Sequence, residues 1–417
     1  MREDIITGLD IGSTNIRVAV GQMVQQTEGH RLQIIGAAEG PSEGISKGSI
    51  VSIEDAVSSI SRVFEKVERM TGIPVEHAYI SILGPHITSQ DSHGVVAVAK
   101  ADGEIREEDV ERVVEAAQTV STPPNYEILH VLPHHFSVDN QKNIKDPVGM
   151  TGIKLEVNAQ IIQGLSAQIK NLTKCIYRTG ADIDDLVFGV LAAAQAVLTK
   201  RQKELGVALV NIGATTTGLV VFEEGDVLHT KVLPIGAGHI TNDIAIGLRT
   251  SIDVAEAVKL QFGSAMHEGE SVKGQIDLSK IDENEDAVIA RKTVVEIVEA
   301  RIEEIFTMLN KELKSVKRDG LLPAGVVLTG GGAKLPDITA AAKKYFRLPS
   351  SVGVPRDLET AIDKIEDPAF STAAGLVQWG ANLSQRSGHR GHFSLGNLSS
   401  VSHVTSKMQQ WFKSLLP

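Results

Sequence analysis

Ile5-Ile6-Thr7-Gly8-Leu9-Asp10-Ile11-Gly12-Ser13-Thr14-Asn15 is an apolar run that enters a Gly/Ser/Thr turn and leaves it again through Ile16 to Val20. Ile and Val at this density favour a buried strand, so the whole reads as a β-hairpin. Gly12 lets backbone N–H groups approach an anion closely, and Ser13 and Thr14 add hydroxyl donors. Asp10, at the strand's end, is placed to hold water on a phosphate-bound Mg2+. An Asp-Ile-Gly turn is also an ordinary hairpin, so the phosphate reading needs partners elsewhere in the chain.

Two such partners follow. Val207-Ala208-Leu209-Val210-Asn211-Ile212-Gly213-Ala214-Thr215-Thr216-Thr217 repeats the layout, with Asn211 at the place of Asp10, Gly213 at that of Gly12 and Thr215 at that of Thr14. The chain therefore reads as internally duplicated. Val326-Val327-Leu328-Thr329 is a further strand ending in Gly330-Gly331-Gly332, and Pro336 suits the first turn of a helix reaching about Tyr345. A glycine turn of that kind lets a nucleoside lie against backbone.

Two phosphate hairpins from two halves, then a nucleoside turn, resemble the actin/Hsp70/sugar-kinase superfamily of ATP-binding proteins. Within it, three stretches resemble the bacterial cell-division family FtsA: Asn-Ile-Lys-Asp-Pro-Val-Gly-Met-Thr-Gly at 143–152, Ile-Thr-Asn-Asp-Ile-Ala at 240–245, and Trp411-Phe412-Lys413. The likeness covers nearly the whole chain. It implies an α/β, actin-like duplicated ATPase fold with two large domains around a nucleotide cleft and two smaller inserted subdomains. The implied ligand is ATP with Mg2+. Gly12, Ser13, Thr14 and Asn15 would clasp its phosphates from one side and Gly213, Thr215, Thr216 and Thr217 from the other. Gly238, Glu256, Lys259, Gly330, Gly331, Gly332 and Lys334 would hold the nucleoside, and Asp10 and Asn211 would hold Mg2+ through water.

Composition sets bounds on this picture. With 417 residues the chain is too long for one ordinary core and should hold two to four domains. A formal net charge of -11, with no basic cluster before the very end, speaks against broad nucleic-acid binding. Cys175 is the only cysteine and sits at a core-like position of a helical pattern, which fits a reducing cytoplasm without internal disulfides. Met1-Arg2-Glu3-Asp4 leads straight into a strand without a signal-peptide-like apolar region, and no apolar run reaches spanning length, so membrane contact is expected to be peripheral.

Along the chain, Ser52-Ile53-Glu54-Asp55 is a capping-box start for a helix to about Met70, with Ala56, Ile60, Val63, Phe64 and Val67 as its buried stripe. A strand at 78–83 ends at Gly84-Pro85, and the rhythm then breaks. An inserted small subdomain is placed at 86–163, with strands around 94–99, 127–139 and 154–163 and a helix at 107–120. His134 and His135 within it are neighbours on a strand, point to opposite faces and have no further ligand at suitable spacing, so no metal is expected there. The first actin-like domain is then 1–85 with 164–204 and 371–383, the second is 205–237 with 305–370, and a second small subdomain occupies 238–304. Small residues in helices at 190–200 and 371–382, among them Ala373, Ala374 and Gly375, would let the two interdomain connections pack closely.

Glu256 and Lys259 fall at i and i+3 on one helical face, which is either a surface ion pair or, by the resemblance, the contact with the nucleoside sugar, with Lys259 behind adenosine. Arg301 lies off the apolar stripe Val295, Val298, Ile302, Ile305, Phe306, Leu309 and Leu313 of a helix at 291–316 and is expected to be exposed. It is a solvated helix residue or, by resemblance to FtsA, the place where the C-terminal peptide of the tubulin-like division protein FtsZ docks.

Residues 384–405 are rich in Ser, Gly, His and Asn and read as a flexible linker to 406–417. There Met408, Trp411, Phe412, Leu415 and Leu416 recur at i, i+3, i+4, i+7 and i+8, with Lys407, Gln409, Gln410 and Lys413 opposite. Such a helix lies in a membrane interface, Lys towards anionic headgroups, unless it docks on the protein's own body.

The superfamily usually carries a carboxylate at the start of the second hairpin and often another at its far end. This chain has Asn211 and Gly218 there, so Mg2+ affinity and hydrolysis should suffer more than nucleotide binding. The expectation is a scaffold, at most a weak ATPase, that polymerises on the cytoplasmic face of the cell membrane at the division site. Its expected partners are the FtsZ peptide, its own copies, lipids and other division proteins, and no nucleic acid. A sugar- or acetate-kinase type enzyme would need a second-substrate cleft and a catalytic carboxylate for which no motif is present. The FtsA-like type IV pilus ATP-binding protein is disfavoured by the linker and tail, and a chaperone by the few residues left after the core.

Overall fold

The computed structural model describes residues 5–26, 29–99, 102–119, 122–267 and 272–387. Most of the linker and the whole of the tail at 406–417, with Met408, Trp411, Phe412, Leu415 and Leu416, lie outside the described residues.

Two sheets of one design form the body. In the first, strands run in the order Asp182–Phe188, His77–Ile82, Ile5–Ile11, Asn15–Gln26, Gly29–Pro41, Glu359–Thr360. In the second the order is Asp226–Leu233, Thr217–Glu223, Val207–Ile212, Val326–Thr329, Ser350–Val352. Each is built on an antiparallel hairpin whose first strand also takes a parallel partner: Ile5–Ile11 with His77–Ile82, and Val207–Ile212 with Val326–Thr329. The duplication read from the two motifs thus extends to strand order. All six residues of Val207–Ile212 are buried, as a strand covered on both faces requires. This is the actin-like fold.

Between the sheets pass two helices, Gly189–Val197 and Ser371–Ser387. A Cβ on Gly375 would sit 1.8 Å from the carbonyl oxygen of Ala192, so these helices touch backbone to backbone and only glycine permits it. The first is shorter than its helical pattern suggests. Thr199 accepts from Gln202 N while Gln202 Oε1 accepts from Thr199 N, and that capping box starts a separate helix, Lys200–Leu205. The last helix is longer than expected and takes in 384–387, which the linker reading had claimed.

The inserted domain is a four-stranded sheet in the order Ile87–Ala97, Lys154–Leu165, Tyr126–Val138, Gln141–Ile144, covered on one face by the helix Glu107–Thr119. It has its own core of Ile105, Val110, Val113, Phe136, Leu155 and Val157, each worth about 1.5–3 kcal/mol on full burial. Its first strand begins at Ile87 rather than 94, because the polar run Thr88–His93 is paired residue by residue with 158–163 and Ser92 donates to Ala117 O at 2.6 Å. The second small subdomain combines the helices Ala237–Leu248, Ile252–Phe262 and part of Arg291–Ser315 with a short pair of strands, Gln275–Asp277 and Val288–Ala290.

Candidate functional site

The two hairpin turns have one geometry. Gly12 N donates to Asn15 O at 3.1 Å and Gly213 N to Thr216 O at 2.9 Å, while Asp10 pairs with Arg17 and Asn211 with Gly218 at equivalent register positions. The tips meet across the cleft, Thr215 Oγ1 donating to Ser13 Oγ at 2.8 Å. Thr14 is exposed beside this contact and Asn15 is half-buried. Thr216 is buried. Thr217 is a correction: it is a strand residue with no exposed surface, and its hydroxyl donates to Ile235 O at 2.7 Å, so it supports the turn from below and faces no phosphate.

Asp10 sits half-buried at the floor. Ser81 Oγ donates to its Oδ1 at 2.7 Å and itself accepts from Ile11 N at 3.2 Å. Burial pushes the Asp10 carboxyl above its usual range, against the Ser81 hydrogen bond and the charge of Arg17. Opposite, Asn211 is buried and its Nδ2 donates to Thr372 Oγ1 at 3.2 Å, at the first turn of the helix Ser371–Ser387. A side chain at Gly218 would press on Val190 and Leu83, its Cβ at 3.3–3.5 Å from them, a tight fit that needs Val190 to give by a few tenths of an ångström.

Around Ala237 and Gly238 the remaining predicted residues converge. The helix Ala237–Leu248 begins where Ala237 N donates to Gly213 O at 2.8 Å and Gly238 N to Ala214 O at 2.7 Å, which satisfies helix-start donors through the second hairpin. Lys259 is 8% exposed, which rules out the plain surface pair. Its Nζ donates to Glu256 Oε2 at 2.6 Å and Thr241 Oγ1 at 2.9 Å, and Thr241 donates to the same carboxylate oxygen at 2.5 Å. Glu256 keeps 44% of its side chain exposed, so one end of this network is open to solvent. Gly332 packs against Ile212 and Ala237, which brings the triple-glycine turn beside Lys259. Gly330 has φ +84 and its N donates to Pro368 O at 3.1 Å; Gly331 is exposed. Lys334 Nζ lies on Asp367 Oδ2 at 2.5 Å, at the rim rather than inside. Burial pushes the Asp367 carboxyl up, but Lys334 and the Ala369 N–H more than offset it and hold it below its usual range.

Ser81, Thr241, Asp367 and Thr372 went unread in the sequence. The partners of Ser81, Asp367 and Thr372 lie 33 to 161 residues away and those of Thr241 15 and 18 away, farther than any helical or strand spacing rule reaches.

Arg301 departs from expectation. Only 22% of its side chain is exposed, and Nε and Nη2 grip Asp243 Oδ2 and Oδ1 at 2.6 and 2.8 Å, with Nη1 on Glu304. The helix Ala237–Leu248 packs along Arg291–Ser315, so a position polar by helical spacing faces a second helix instead of solvent. Burial lowers the pKa of His134 to about 4, against the charge of Asp91, while His135 lies close enough to Asp226 to act on its carboxyl.

The family model described as "Cell division protein FtsA" matches residues 208–375, and that for "SHS2 domain inserted in FTSA" matches 84–163. The chain is similar to the cell division protein FtsA of Pseudomonas aeruginosa, 36% identical over 90% of this chain and 89% of the relative. The Bacillus subtilis cell division protein FtsA is 39% identical over 93% of this chain and 86% of its own length. Among solved structures, the PilM-PilN type IV pilus biogenesis complex aligns over 90% of this chain and 98% of that one, with a TM-score of 0.65 at 14% identity, a likeness of fold alone.

Proposed function

The chain belongs to the FtsA family and acts in cell division, and on that footing we propose that it binds ATP with Mg2+ between its two hairpins, assembles with its own copies, and tethers FtsZ to the cytoplasmic face of the cell membrane. The observation that carries the nucleotide reading is the contact of the two matching turns, Ser13 against Thr215, together with a glycine turn that packs on Ile212 of the second hairpin and leaves Gly331 open. Gly12, Ser13, Thr14, Asn15, Gly213, Thr215 and Thr216 hold the phosphates, Asp10 and Asn211 orient water on Mg2+, and Glu256, Lys259, Gly238 and Gly330 to Gly332 surround the nucleoside. Lys334 closes the rim. Sedimentation of the full chain with anionic vesicles, with and without ATP and an FtsZ tail peptide, tests binding, assembly and attachment together; loss of all nucleotide and peptide dependence overturns the reading.

Slow hydrolysis follows from Asn211, which is neutral and has its amide committed to Thr372. Wild-type phosphate release is expected far below the enzyme median of roughly 10 per second. Asn211→Asp replaces the donating amide by a carboxylate that would instead accept from the Thr372 hydroxyl, and is expected to raise Mg2+ affinity and the release rate. A wild-type rate near that median would make the protein a turnover enzyme.

For the FtsZ peptide the same subdomain offers Arg301, with Asp243 as internal competitor for its guanidinium. Charge reversal at Arg301 would set a carboxylate against Asp243 and Glu304 and disturb the fold, so the gentler pair is informative. Arg301→Gln is expected to weaken binding of an acidic FtsZ tail peptide at least tenfold, and Asp243→Asn to strengthen it. Equal binding by both variants and wild type would reduce Arg301 to a structural ion pair.

A further inference from the structure

The inserted domain stands on the first large domain and leans on the second. Its foot is His130, 5% exposed, whose Nε2 accepts from Phe188 N at 2.9 Å and whose ring meets Trp379 edge-on at 5.7 Å between centroids. Its other side lies along Asp226–Leu233, the edge strand of the second sheet. Ser89 Oγ donates to Thr230 O at 2.9 Å, Thr230 Oγ1 donates to Gln160 Oε1 at 3.1 Å, and Lys145 Nζ donates to Glu224 O. In the same seam Asp226 is half-buried and its Oδ2 has no hydrogen-bond partner among the described residues. Burial pushes its carboxyl up to about 6, only partly countered by Lys145 and His135, while Glu224 adds to the rise.

Permanent interfaces satisfy their buried polar groups. This one covers a sheet edge, which blocks unwanted strand pairing, yet keeps an orphaned carboxylate atom inside. The edge strand is paired from Thr217↔Leu233 to Glu223↔Asp226 with the second strand of the second hairpin, so it moves as one piece with the Thr215 turn. The insert, through His130, moves with the Ser13 turn.

We propose that the inserted domain is a releasable clasp between the two large domains, holding the hairpin tips together and parting when the cleft admits or releases its ligand. The identity of that ligand rests on the nucleotide reading above; the clasp itself rests on the seam. Lys145→Glu acts from an exposed position and sets a carboxylate against Asp226 and Glu224 without touching either core. Asp226→Asn removes the orphaned charge and should tighten the clasp.

The test uses the full chain with dyes at Glu65→Cys and Lys343→Cys, on outer helices of the two large domains, leaving the buried Cys175 in place. Lys145→Glu is expected to lengthen the interdomain distance and to speed release of a fluorescent ATP analogue about tenfold or more. Asp226→Asn is expected to narrow the distance distribution and to slow release. Distance distributions unchanged in both variants overturn the clasp. If the distances shift as expected but no protein, wild type included, binds the analogue, the clasp stands and the nucleotide reading falls.

Discussion

A Gly331→Trp protein is expected to fold like the wild type and to lose ATP, with calorimetric affinity reduced at least a hundredfold, about 2.7 kcal/mol. A Cβ built on Gly331 meets nothing within 4 Å, so the new side chain enters open space beside the turn and strains no neighbour. Its neighbours behave differently. At Gly330 a Cβ would lie 2.3 Å from Asn211 Oδ1 and 2.6 Å from Ile212 O, on a backbone at φ +84, and at Gly332 it would strike Ile212 Cγ2 at 2.4 Å. Substitutions at those two positions should lower thermal stability as well as binding, whereas Gly331→Trp should separate the two. Wild-type ATP affinity in a folded Gly331→Trp protein would move the nucleoside away from this turn.

Removing residues from Ser406 onward, or changing Trp411 and Phe412 to Glu, is expected to abolish co-sedimentation with anionic vesicles while leaving ATP affinity intact. Each large apolar side chain gains about 1.5–3 kcal/mol on full burial, but ordering each residue costs about 1–2 kcal/mol, so a single copy of the proposed tail helix should bind weakly. Assembly changes the arithmetic, because every later helix inserts from a high effective concentration. Vesicle binding of the wild type is therefore expected to rise steeply with ATP and protein concentration and to fall with salt, which screens Lys407 and Lys413 from headgroups. Full binding by the truncated chain would place the anchor elsewhere.

The local pattern determined a great deal by itself. Strand–turn–strand signals at Asp10-Ile11-Gly12 and Asn211-Ile212-Gly213, with Gly330 to Gly332, were enough for the duplicated actin-like fold, because backbone turns and buried strands are written in neighbouring residues. Small residues around Gly375 foretold the close helix pair for the same reason: absence of a side chain is a local property. What the sequence left open was decided by partners distant in the chain. Thr217 looked like a phosphate donor until its hydroxyl was drawn to Ile235 O, and Arg301 looked solvated until Asp243 on another helix took its guanidinium. Lys259 could be a surface or a buried cation, and only the packing of Ala237 and Thr241 over it made it buried. The seam of Ser89, Gln160, Lys145 and Asp226 has no signature at all, since it exists only where one domain's sheet meets another's edge. A polar side chain carries its donors and acceptors wherever it goes; which of them remain free for a ligand depends on what the fold brings within about 3 Å.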